Sequence, residues 1–480
     1  MNVLFVYSLN NGILPNGLLS SQELIQFGIS HISSFLKKQG HRTELFVTSR
    51  LFGQKTFRAL KRTIDTFRPD VICFSAVATQ YDFIAGLAAD VKRAYPNIYL
   101  VIGGVHATLN PEEAASGGFN AICVGEGERP VVELVAQLEE GKTPSSIPNL
   151  WIKRDSGPEK NPPRPFMQDL DSLPFPDRDM WQRWMSKKAP RMCSVLASRG
   201  CPFDCSYCSN HALRKITRGN YVRQRSPENI TEEIRQIAAE FPAIKEIYIE
   251  TETLIINRPW CLALCAQLEK LNKELKTPLS LGANIRIVPG QELDSIFSAL
   301  ESCNFRFINI GLESGSERVR REILKRNYSN DDVISAVTSA RKYGLQVALF
   351  NLIGVPGETF DDFKETVKIN RLCKPDWNLT SIYFPYKGTD LYRSCKERGL
   401  LKEPIDYKNE RQKAVLDLPE FSRRQIQEGL KFFNYYVYKG FDPEDRFRAL
   451  LLYFWNVTIK RFHKRMLRSL KLRAHNIFTA

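Results

Sequence analysis

Arg199-Gly200-Cys201-Pro202-Phe203-Asp204-Cys205-Ser206-Tyr207-Cys208 follows directly on a β-rich run at 194–197. Three cysteines spaced C-x3-C-x2-C on one loop can wrap a single metal centre, and cysteines repeated at ligand spacing are rarely accidental. Three thiolates suit a four-iron cubane with one iron left open, since such clusters are held by thiolates and a missing fourth Cys leaves a ligand position. Zinc is the rival, because His211 follows three residues after Cys208 and Cys3His is a structural zinc set. Position adds weight to iron. The loop leaves the carboxyl end of the first strand in an alternating series, where chemistry is expected, whereas a zinc knuckle needs no such mouth.

Downstream of the loop, β-rich runs at 246–250, 279–287, 305–311, 346–352 and 379–384 alternate with helical patterns at 227–240, 259–275, 291–303, 317–325, 330–343 and 360–372. Six strands with helices between them predict a parallel partial (β/α)6 barrel over 191–390. Upstream, runs at 3–7, 44–47, 71–75, 98–102 and 121–124 alternate with helical patterns at 22–38, 54–67, 80–94 and 128–138. That is an α/β reading: a doubly wound, Rossmann-like sheet over 1–142 whose ligands sit beyond the carboxyl ends of its strands. Gly103-Gly104 and Gly125-x-Gly127 fall at those ends, where glycine lets backbone approach a ligand or merely makes a tight turn. Eight prolines between Pro144 and Pro176 mark 143–190 as a linker, and 391–480 reads as a helical, basic region.

The chain has 480 residues, 43% hydrophobic and 25% charged, which excludes disorder and fibre and allows about three domains. Its formal charge of +15 would suit a nucleic-acid binder, a membrane-surface protein or a protein handling acidic substrates. Distribution decides among these. Residues 1–142 hold 13 basic and 13 acidic residues, while 411–480 hold 15 and 6, so the excess is C-terminal and no nucleic acid is expected as a partner. Eleven cysteines, an odd number without framework spacing, argue for a reducing compartment, and the first residues read as a strand rather than a signal peptide. No run reaches the length of a spanning helix. The expected location is cytoplasmic. Between 446 and 473 apolar residues recur near helical spacing, with seven Lys/Arg and no acid from Lys460 to Arg473. This basic amphipathic pattern reads either as a peripheral contact with an anionic membrane at its inner face or as a helix capping the barrel.

The cluster loop, with an aromatic residue, Tyr207, before its last cysteine, resembles the signature of the radical S-adenosylmethionine (radical SAM) superfamily. The resemblance runs on in order through Glu250-Thr251-Glu252, Arg286, Gly311-Leu312-Glu313-Ser314-Gly315-Ser316, Ile353-Gly354-Val355-Pro356-Gly357-Glu358-Thr359 and Pro385-Tyr386-Lys387-Gly388-Thr389. It implies that Cys201, Cys205 and Cys208 hold a [4Fe-4S] cluster. It also implies that Tyr207, Glu250 or Glu252, Arg286, Glu313 and Gly354 meet S-adenosylmethionine, Glu250 and Glu252 competing for the amino group, Arg286 pairing with the carboxylate and Glu313 holding ribose. The upstream segments Gly103-Gly104-Val105-His106-Ala107-Thr108, Pro111-Glu112-Glu113 and Val124-Gly125-Glu126-Gly127-Glu128, with Leu173-Pro174-Phe175-Pro176-Asp177-Arg178, are similar to the cobalamin-binding branch of that superfamily. Gly103, Gly104, His106, Gly125 and Gly127 are the cobalamin contacts this implies. The loop after the first strand, Tyr7-Ser8-Leu9-Asn10-Asn11-Gly12, lacks the histidine that ligates cobalt in other cobalamin proteins, so His106 is read as a loop residue near the corrin rather than a ligand.

The activity implied is formation of a 5′-deoxyadenosyl radical and methylation of an unactivated carbon, or phosphorus, through methylcobalamin, because side-chain acid–base chemistry cannot break an inert C–H bond. An external flavodoxin- or ferredoxin-type electron donor and a small-molecule or lipid substrate follow as partners. The same architecture could carry oxidative cyclisation or rearrangement without methyl transfer. A zinc-containing nucleic-acid module is the third reading, resting on charge and His211 alone. The remaining cysteines, including the helical pair Cys261 and Cys265, read as core.

Overall fold

The computed structural model describes residues 1–9, 18–19, 25–53, 55–186, 192–402 and 405–439. The first unit is a seven-stranded sheet of β1 (Asn2–Ser8), β2 (Arg42–Thr48), β3 (Val71–Ser75), β4 (Tyr99–Gly103), β5 (Ala121–Cys123), β6 (Leu150–Ile152) and β7 (Glu159–Lys160) in the order β2-β1-β3-β4-β5-β6-β7. The first five are parallel. Strands such as Val-Leu-Phe-Val and Val-Ile-Cys-Phe are buried on both faces, as a sheet covered by helices on both sides requires. Two apolar clusters confirm the layers: Val3, Phe5, Val101 and Leu134 pack on one face, and Leu4, Val6, Ile72 and Leu87 on the other. The order reverses between β1 and β3, which places the expected ligand crevice at the ends of β1, β3 and β4.

The segment expected to be only a linker contributes structure. β6 pairs antiparallel with β5 through Ile122↔Trp151, and β7 pairs with β6. Residues 143–190 thereby extend the first sheet before the chain crosses to the second unit. Trp181, fully buried, donates Nε1–H to Ser30 Oγ at 2.8 Å and anchors the crossing against the first sheet's helices.

The second unit is an all-parallel curved sheet of β8 (Met192–Leu196), β11 (Glu246–Glu250), β12 (Ser280–Ile285), β13 (Phe305–Glu313), β14 (Gln346–Ile353) and β15 (Trp377–Ile382), in that spatial order. A short antiparallel pair, β9 (Ser198–Arg199) with β10 (Arg223–Gln224), brackets the cluster loop. Six strands in chain order around the sheet are the partial barrel expected from periodicity. Residues 319–323 form a π-helical turn. Among the described residues of the C-terminal region, Asp390–Glu397 and Arg423–Tyr438 are α-helical and Tyr407–Asn409 makes a 3-10 turn, in a stretch that packs back on the barrel. The basic pattern at 446–473 lies outside the described residues. Among the described residues no helix is long and apolar enough to cross a membrane.

Candidate functional site

The cluster loop begins at the edge of the barrel mouth, where Arg199 and Arg223 face each other across β9 and β10. Gly200 turns the chain at φ +84, and a Cβ there would collide with the backbone carbonyl of Tyr221, so only glycine fits. The loop is then pinned by backbone. Ser206 N–H donates to Leu324 O at 3.2 Å, its hydroxyl donates to Ile323 O at 2.6 Å, and Leu391 N–H donates to Ser206 O at 2.8 Å.

All three loop cysteines are free thiols, Cys201 and Cys205 buried and Cys208 partly so. Burial pushes the Cys208 thiol up to about 11 and raises Cys201 as well, with Cys205 adding to both shifts, so the three sulfurs lie within electrostatic reach of one another. Among the described residues no three Cys, His, Asp or Glu side chains are closed up as a finished metal cage. The donor set still fits a metal–sulfur centre: three unpaired thiols on one pinned loop, with Arg286 Nη1 donating to Cys205 Sγ at 2.8 Å. Arg286 also lies flat over Phe203, 3.5 Å from its ring centroid, so it faces the cluster loop rather than standing clear for a ligand carboxylate. His211 Nε2 accepts the Asp390 N–H at 3.3 Å and lies 3.3 Å from Asp390 Oδ1, which leaves only its Nδ1, buried without a partner, to a Cys3His zinc set.

A cavity of about 540 Å³ runs between the two units, lined by the ends of β4 and β5 on one side and by β8, β11 and the start of the cluster loop on the other. Gly103, Gly104, Gly125 and Gly127 all line it, as do Glu250 and Glu252. Thr251 between them lines it too and bonds Ser198 Oγ at 2.7 Å, because the chain leaves β11 at Glu250 and bends there. Gly104, at φ +93, has no room for a Cβ, which would lie 2.7 Å from Ala76 O. Backbone therefore forms this wall, the surface a broad, flat cofactor needs.

His106, expected near the corrin, is not among the residues that line the cavity. The turn at Gly104 starts the helix Val105–Leu109, so Val105 and Thr108, three apart, face the cavity and His106 between them points away. It is stacked on Tyr81 at 4.0 Å, its Nε2 3.6 Å from Glu113 Oε2, and burial lowers it to about 4 against the pull of Glu113.

On the barrel side Tyr207 and Glu313 come together through a residue sequence reasoning missed. Arg326 Nη1 donates to Tyr207 Oη at 3.0 Å and, in a very short contact, to Glu313 Oε1. Glu313 ends β13 at φ +60, where the β13–β14 register slips, which turns its carboxylate out of the strand. No local pattern singles out Arg326. Gly354, at φ +74, packs against Ile382 at the end of β15 and Ile426 of the helix Arg423–Tyr438, away from the cavity.

Four residues later Glu358 is buried, Oε2 accepting the Val355 N–H at 2.9 Å and Oε1 without a partner. Burial pushes its carboxyl from 4.5 up to about 8. A carboxyl that keeps its proton in the fold but loses it on unfolding contributes stability that is full below about 4.5 and lost as pH rises through about 8. Glu358→Gln is expected to flatten this slope, gaining about 1–2 kcal/mol at pH 8.5 and little at pH 5. Thermal melts across pH check it; identical slopes in parent and variant would overturn it.

Two family models match the chain: the radical SAM superfamily over residues 195–369 and the B12 binding domain over 17–135. An uncharacterized methyltransferase of Pyrococcus horikoshii, PH0819, is 26% identical over 416 residues, covering 85% of this chain and 87% of the relative. The anaerobic magnesium-protoporphyrin IX monomethyl ester cyclase of Rubrivivax gelatinosus is 21% identical over 381 residues, 77% of this chain and 66% of the cyclase. Among solved structures the fold is similar to the radical S-adenosylmethionine methyltransferase TsrM of Kitasatospora setae, with a TM-score of 0.63 at 17% identity over 84% of this chain and 78% of that one.

Proposed function

We propose that this chain, which carries a B12-binding domain followed by a radical SAM domain, is a methyltransferase acting on an unactivated carbon or on phosphorus. The observation that carries the reading is the single cavity shared by the glycine wall of the first sheet and the mouth of the barrel beside the cluster loop. Two cofactors that must act on one substrate need one enclosed space. When bound, a [4Fe-4S] cluster with S-adenosylmethionine supplies a radical able to abstract hydrogen, and cobalamin supplies a methyl carrier.

The chain's own residues would act as follows. Cys201, Cys205 and Cys208 would hold iron, leaving one position open, and Arg286 orients Cys205 by donating to its sulfur. Glu250 and Glu252 offer carboxylates to an ammonium group in the cavity. Glu313, aimed by Arg326, accepts hydrogen bonds from hydroxyls, as a fixed carboxylate does well. Gly103, Gly104, Gly125 and Gly127 form the wall against which the corrin would lie. The electron such a cluster would need would come from an external donor. The likeness to a cyclase favours a second reading, oxidative cyclisation in the same cavity without methyl transfer.

Anaerobic reconstitution with iron, sulfide and hydroxocobalamin, followed by S-adenosylmethionine and a reductant, separates these. The methyltransferase reading expects both 5′-deoxyadenosine and S-adenosylhomocysteine, the second marking transfer of a methyl group to cobalt. 5′-Deoxyadenosine without S-adenosylhomocysteine would favour cyclisation, and formation of neither would sink both.

A further inference from the structure

Between the units lies a buried charged cluster that the reading above does not use. Arg199 Nη1 donates to Glu126 Oε1 at 3.2 Å, and its Nη2 to Glu128 Oε1 at 2.6 Å. Arg223, its partner across β9 and β10, donates from Nη1 to the same Glu126 oxygen at 2.7 Å and to Met167 O at 3.1 Å. The other Glu126 oxygen accepts the Met167 N–H at 2.9 Å. The Arg223 and Glu128 side chains are each only 4% exposed, Arg199 16% and Glu126 23%. All four line the shared cavity.

The cluster's placement gives it meaning. Arg199 stands two residues before Cys201, separated from it only by Gly200, while Glu126 and Glu128 flank Gly127 in the glycine turn of the first sheet. Glu128 is also the first residue of the helix Glu128–Glu139, where a carboxylate is favoured by the helix dipole. Burial alone would push the Glu128 carboxyl up, but the Arg199 charge and hydrogen bond, together with nearby His31, hold it below its ordinary value. One planar guanidinium thus forks across both glutamates, a geometry a lysine cannot reproduce. A buried network of this kind fixes register more surely than it adds stability.

We propose that Arg199, with Arg223 behind it, is a positioning residue that locks the cysteine loop to the Glu126–Glu128 turn and so fixes the separation between the cluster and the corrinoid face. The inference rests on the two-cofactor reading above, and its test has one arm that does not. In the first arm, hydrogen exchange is followed on the full apo chain for the parent, Arg199→Gln and Arg199→Lys, the lysine variant keeping the charge should the glutamine variant fail to fold. Amides of 125–131 and 199–208 are expected to exchange together at least about tenfold faster while the rest of the chain stays within about twofold. A uniform rise, or none, would overturn the lock.

In the second arm the parent and Arg199→Lys are loaded with hydroxocobalamin and a reconstituted cluster, both are reduced to their paramagnetic states, and the distance between the spins is read by pulsed electron paramagnetic resonance. The expected result is retained iron and cobalt content with a distance distribution at least about twofold broader in the variant. A parent-like distribution in a fully loaded variant would also overturn it. A parent that takes up neither cofactor counts against the proposed function, and the exchange arm still decides the lock.

Discussion

Simultaneous replacement of Cys201, Cys205 and Cys208 by alanine is expected to lower 5′-deoxyadenosine formation by at least about 1000-fold, equivalent to roughly 4 kcal/mol of barrier. A cubane needs its thiolates, and the nearby His211 and Arg286 do not replace them: His211 Nε2 is engaged by Asp390, and Arg286, which donates to Cys205 Sγ, is a cation. The variant should nevertheless fold, because the loop is held by main-chain bonds from Ser206 to Leu324 and from Leu391 to Ser206, not by its sulfurs. Burial argues the same way for Cys201 and Cys208: both thiols are shifted upward, so replacing them removes small buried groups rather than charges. Iron content, visible absorption and product by mass spectrometry are the readouts, with circular dichroism as the check on folding. His211→Ala is the companion variant, expected to keep iron and product. A triple variant that still makes 5′-deoxyadenosine, or a His211 variant that loses metal while the triple variant keeps it, would reverse the assignment.

The fold was legible because its two units rest on periodicities that the chain itself carries. Doubly buried strands such as 71–75 and 100–102, and helices with apolar residues three and four apart, declare a parallel sheet without any long-range information. β6 and β7 carry no such signal. They are three and two residues long, sit among prolines, and exist only because β5 offers an open edge, a fact about pairing and not about local sequence. The cysteine trio was legible for the same reason as the strands, its spacing being local. Arg326 was not, since its importance lies in reaching Tyr207, 119 residues earlier, and Glu313 at once. Resemblance gives a position in a motif but not the face of a helix, and one residue's rotation about the turn at Gly104 carries His106 to Tyr81. Arg199 stood inside the quoted loop all along, yet its two carboxylate partners lie more than 70 residues away.

The same loop carries the second large effect. Gly200→Ala is expected to destabilise the chain by at least about 3 kcal/mol and to impair cluster uptake beyond what the loss of stability explains. Two costs add. At φ +84 any L-residue carries backbone strain of about 1–2 kcal/mol. The added methyl would also run into the carbonyl of Tyr221, which is backbone and cannot swing aside as a flexible side chain would. Relief requires β9 and β10 to part, and their only pairing is Arg199↔Arg223 and Ser198↔Gln224. Opening it would draw Arg199 off Glu128 and move Cys201, the next residue along, away from Cys205. Gly290→Ala is the control, since Gly290 also has positive φ, +71, but open space around it, and it lies away from the cavity. The control should show the strain alone, about 1–2 kcal/mol, with normal iron loading. Chemical denaturation and iron stoichiometry, measured on both variants at a temperature where each is fully folded, separate strain from displacement. If Gly200→Ala loads iron as the parent does while folded, the tight approach to Tyr221 does not position the cysteine loop.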